Sequence, residues 1–81
     1  MKDVRETFLR ECALYIKGEL AEVKISGPKE TVKLFANVLA ESRKLYLALE
    51  GDSIKDVIPQ LSKKRQASRT LREQTGYVWP L

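Results

Sequence analysis

The chain has no histidine, one cysteine and one tryptophan. Each shortage removes a class of chemistry. A lone Cys12 cannot close a disulfide within the chain. A zinc site of cysteines and histidines needs several such ligands, so one chain cannot build it. A serine or cysteine nucleophile activated by histidine is excluded as well. No unperturbed side chain titrates between about pH 5 and 8. Long apolar runs are also missing: none approaches the ~20 residues that span a bilayer. The opening residues, MKDVRETFLREC, alternate charge with apolar side chains and lack the core of a secretory signal. An unpartnered cysteine suits a reducing interior, so the expected location is the cytoplasm.

What is present fits one small domain over residues 1–81. Charge is unevenly placed. Residues 1–58 hold ten basic and ten acidic side chains, so the net +4 lies wholly in the last 23 residues. There Lys63, Lys64, Arg65, Arg69 and Arg72 face Glu73 alone. Such asymmetry points to an anionic partner for that end. The plainer reading is a solvated helix face that keeps the domain in solution.

Hydrophobic spacing divides the chain. Val4, Phe8 and Cys12 recur every four residues, and Glu6 with Arg10 makes an i,i+4 pair, so a short helix is predicted near residues 2–11. The next stretch reads at period two. A turn at Gly18-Glu19 would bring Cys12, Leu14, Ile16, Ala21, Val23 and Ile25 onto one face of a β-hairpin. The competing reading runs the first helix on to Leu20 and follows it with one strand.

The strongest signal comes next. Pro28 suits a first helical position, and Glu30 can cap from the first turn. Val32, Phe35, Val38, Leu39, Ser42, Leu45, Tyr46 and Leu49 then hold the helical period, and Gly51 closes the helix. Leu34 and Leu47 lie off that stripe and predict a second buried side. Ser53 with Asp56 looks like a capping box for the last helix. Its expected core stripe is Ile54, Val57, Ile58, Leu61, Lys64, Ser68, Leu71 and Thr75. Pro59 predicts a kink there, or a helix that begins near it. Gly76 ends it before an apolar tail of Tyr77, Val78, Trp79, Pro80 and Leu81.

The expected fold is therefore α+β: a short N-terminal helix, a β-hairpin, a long central amphipathic helix and a C-terminal basic helix with an apolar tail. The expected function is that of a non-catalytic protein-interaction module, a small adaptor, inhibitor or regulatory protein. Open hairpin edges and the broad apolar arc of the central helix favour self-association as a two-fold homodimer. The candidate partner-binding residues are Lys63, Lys64, Arg65, Arg69, Arg72, Tyr77, Trp79 and Leu81. Arg65, Arg69 and Arg72 fall at i, i+4 and i+7, one stripe that could pair with acidic groups of a protein or, as the alternative function, with nucleic-acid phosphates. The tail would either fold onto its own core or anchor in another chain. No catalytic residue, metal ligand or cofactor site is expected, and no membrane contact. The acids Glu50, Asp52 and Asp56 read as helix-start chemistry.

Overall fold

The computed structural model describes residues 4–51 and 54–81. Three helices make up the described chain: α1 (Val4–Ile16), α2 (Lys29–Glu50) and α3 (Ile54–Thr75). The architecture is all-α, and no strand occurs among the described residues. α2 is central. α1 packs on one side of it, and α3 returns antiparallel along another. Grooves between the last two trace the reversal: Ala48 lies by Asp56, Asn37 by Gln66, and Thr31 by Gln74.

The expected α+β fold with its hairpin is thus corrected, and Gly18 explains why. Its φ of 83° is the left-handed value that a hairpin turn would also need. Here it closes α1 instead. The Glu19 N–H donates to Leu14 O at 2.9 Å and the Gly18 N–H to Tyr15 O at 3.0 Å, the paired bonds of a Schellman cap. With the helix running to Ile16, Phe8, Cys12, Tyr15 and Ile16 share a face and pack into the core. The period-two pattern shares Cys12 and Ile16 with this helical face, whereas Leu14 lies off it. The segment from Leu20 to Pro28 is neither helix nor paired strand. A sheet edge from a hairpin therefore does not exist in the subunit.

α2 follows its stripe closely. Val38, Leu39, Ser42 and Leu45 are its buried residues. The stripe stops short of Leu49, which is 58% exposed. Pro28 sits one residue earlier than expected, as the N-cap, and makes no side-chain cap. Gly51 closes the helix with φ −84°, its N–H donating to Leu47 O, so this end needs no left-handed residue. Leu34 packs against the core, whereas Leu47 stays exposed.

α3 carries Pro59 within a continuous helix. Of the expected capping pair, Ser53 lies outside the described residues, as Asp52 does, and Asp56 sits in the first turn of α3. The core face of α3 is also rotated from the expected stripe: Leu71 is buried as expected, but Ala67 is buried beside it while Ile54 and Ile58 are exposed. Gly76 ends the helix at φ 79°, its N–H donating to Arg72 O at 2.8 Å. That turn sends residues 77–81 back over the bundle.

The tail completes the core. Trp79 is buried beside Cys12, Val38, Leu39, Ala67 and Leu71. Phe35 joins three segments: its ring centroid lies 5.8 Å from Phe8, 5.4 Å from Tyr77 and 6.4 Å from Trp79. Edge-on and tilted pairs of this kind add to the burial of the rings themselves.

Candidate functional site

One outward stripe of α3 combines apolar and cationic side chains. Ile54, Ile58, Leu61, Arg65, Arg69 and Arg72 are spaced by three or four residues. At 3.6 residues per turn they stay on one stripe, about 27 Å long from first to last. The stripe lies beside the core face marked by Ala67 and Leu71, not on it. Ile54 and Ile58 are 76% and 71% exposed. Leu61 is half-buried, and the three arginines are exposed. The stripe therefore changes chemistry along its length, apolar near the start of α3 and cationic toward its end.

The C-terminal tail runs alongside the cationic half. Leu61, Lys64, Arg65, Ser68, Arg69, Arg72, Val78 and Trp79 line a groove of about 370 Å³ between helix and tail. Val78 is 69% exposed on that rim. Among the described residues, no carboxylate lies within ion-pair distance of Arg65, Arg69 or Arg72; the ion pair that is found joins Lys44 to Glu41, elsewhere. Arg72 also sits in the last turn of α3, where a cation complements the helix dipole.

The five basic residues singled out in the sequence do not form one patch. Arg65, Arg69 and Arg72 come together as their spacing required. Lys64 joins them at the groove, but its Nζ donates to the main-chain oxygen of Leu81 at 2.6 Å and so helps hold the tail. Lys63 points away, lining a separate groove with Asn37, Glu41 and Thr70.

The tail residues also divide. Trp79 is buried, and its Nε1–H donates to Ser42 Oγ at 3.0 Å. Tyr77 and Leu81 are half-buried against the same core. The tail thus folds onto its own subunit, leaving Val78 and Pro80 exposed.

Sequence reasoning missed Ile54 and Ile58, because it placed both on the buried stripe. A weak signal was available. Rotating that stripe to centre on Ala67 rather than Ser68 removes a hydroxyl from the core and frees the two isoleucines.

Comparison of the chain with protein families, with curated proteins and with solved structures finds no match. Among the described residues, no helix is long and apolar enough to cross a membrane.

Proposed function

We propose that this chain is a non-catalytic protein-interaction module whose working surface is the outer stripe of α3, and that its partner presents an acidic amphipathic helix. One observation carries the reading: exposed Ile54 and Ile58 continue, on the same stripe, into the exposed arginines Arg65, Arg69 and Arg72. An amphipathic helix laid along α3 would bury apolar side chains on the isoleucines and Val78. Its carboxylates would meet guanidinium groups that carry no other acidic partner among the described residues. Exposed isoleucines next to one another leave apolar surface in water that a partner would cover. Nucleic acid would engage only the cationic half, leaving Ile54 and Ile58 without a role.

The test compares two probes under the same conditions. One is a synthetic amphipathic helix with leucines on one half of a face and glutamates on the other; the second is duplex DNA. Fluorescence anisotropy is followed as salt rises, for the wild type, for I54S/I58S and for R65A/R69A/R72A. Peptide binding that both variants weaken supports the reading. Peptide binding indifferent to the isoleucines sinks it. Tight duplex binding with a steep salt slope, lost only with the arginines, replaces it with the nucleic-acid alternative.

A further inference from the structure

Between α1 and α2 lies a segment whose exposure alternates. Glu22, Lys24 and Ser26 are exposed, while Val23 and Ile25 are half-buried. Period two is the signature of an extended strand with one face on its own domain. Val23 packs against the core. Among the described residues, no main-chain N–H or C=O from Leu20 to Gly27 has a hydrogen-bond partner in the subunit. The segment lies against the helices with its main chain unpaired in the subunit.

We infer that this segment pairs antiparallel with its counterpart in a second copy of the chain, across a two-fold axis at Val23. The charges select both the occupant and the register. In a two-fold antiparallel pair, the residues facing one another have position numbers with a constant sum. That sum must be even, because an odd sum would set an outward residue opposite an inward one. Centring the axis on residue 22 puts Glu22 opposite Glu22 of the second copy. Centring it on residue 24 does the same for Lys24. Like charges directly opposite are unfavourable. Centring on Val23 sets Glu22 against Lys24 of the second copy, and Lys24 against its Glu22. The strand is self-complementary only in this register. Val23 and Ile25 meanwhile keep their places on their own domains, because facing residues share one side of the ribbon.

The pairing is not an intrachain hairpin; it uses one strand from each copy. A two-stranded ribbon is marginal in isolation. Here each strand is already laid against its helices, so less ordering remains for association to impose. The α3 stripe takes no part, and the inference stands apart from the function proposed above.

Charge reversal tests it. Glu22 and Lys24 are exposed, so E22K and K24E should fold as the wild type does, which circular dichroism checks. Sedimentation equilibrium over a concentration series should show wild-type dimers. E22K alone and K24E alone should each lose measurable association, and an equimolar mixture of the two should regain it as a heterodimer. A wild type that stays monomeric throughout overturns the inference. So does a dimer that either single reversal leaves intact, for instance one formed through Ile54 and Ile58, or a mixture that fails to reassociate.

Discussion

Trp79 donates its indole N–H to Ser42 Oγ, and Ser42 Oγ in turn donates to Val38 O at 2.8 Å. The tail and α2 are thus joined by a buried relay in which the serine hydroxyl both gives and accepts. Among the described residues Ser42 is the one buried polar residue, and none of their buried side-chain polar atoms is left without a partner. The serine stands inside an apolar stripe because the tryptophan needs an acceptor there.

Removing either end should therefore cost stability for different reasons. S42A leaves a buried N–H unpaired and should destabilise by about 1–3 kcal/mol. W79A removes a large core side chain and should cost about 3–5 kcal/mol. Urea denaturation by circular dichroism measures both. In a W79F background S42A should cost clearly less, since the coupled donor is gone. Equal cost in both backgrounds would show that the hydrogen bond contributes nothing.

Two glycines close helices in the left-handed region, Gly18 at φ 83° and Gly76 at φ 79°, and a Cβ added at either meets nothing within 4 Å. The penalty for alanine is then conformational and not steric crowding by neighbours. G18A and G76A should each lose about 1–2 kcal/mol. Asparagine, which tolerates this region better, should lose less at the same sites. Thermal melts rank the four variants, and alanine matching glycine would contradict the cap geometry.

Cys12 gives the protein a pH limit on the alkaline side. Burial, with a smaller contribution from nearby Glu11, pushes its thiol up to about 11 from 9.0. Well below 9.0 the thiol is neutral in both folded and unfolded chains, so it does not affect their balance there. Above that value the unfolded chain releases the proton first. Stability should fall as pH rises toward 11, by about 2–3 kcal/mol in all. C12A should flatten this part of the profile in urea titrations. At neutral pH the native thiol should also react with disulfide reagents only as fast as the protein opens.

The legibility of this fold in its sequence varied with how far the deciding contact lay along the chain. α2 was readable because Val38, Leu39, Ser42 and Leu45 repeat a local period that the core then uses. The end of α1 was not readable. Gly18 serves a hairpin and a Schellman cap with the same φ, and the choice rests on Cys12 joining a core cluster built from α2, α3 and the tail. The arginine stripe was legible from spacing alone. Its apolar continuation was hidden, because Ile54 and Ile58 are core-like residues placed on the outside by the position of Ala67. The ring cluster of Phe8, Phe35, Tyr77 and Trp79 had no local signature, since its members come from three distant segments.

Phe35 sits where the early and late parts of the polypeptide meet, and this has a consequence for synthesis. During translation the three helices leave the ribosome before residues 77–79 do. Until those residues emerge, the face of Phe35 turned toward Tyr77 and Trp79 is bare, and the Ser42 hydroxyl has no indole to receive. Maturation of the interior is then a late event tied to the arrival of one short stretch. A chain cut after Gly76 mimics that moment: it should keep most of its helical signal yet bind a hydrophobic dye, and a cut chain that melts as sharply as the whole would refute the idea.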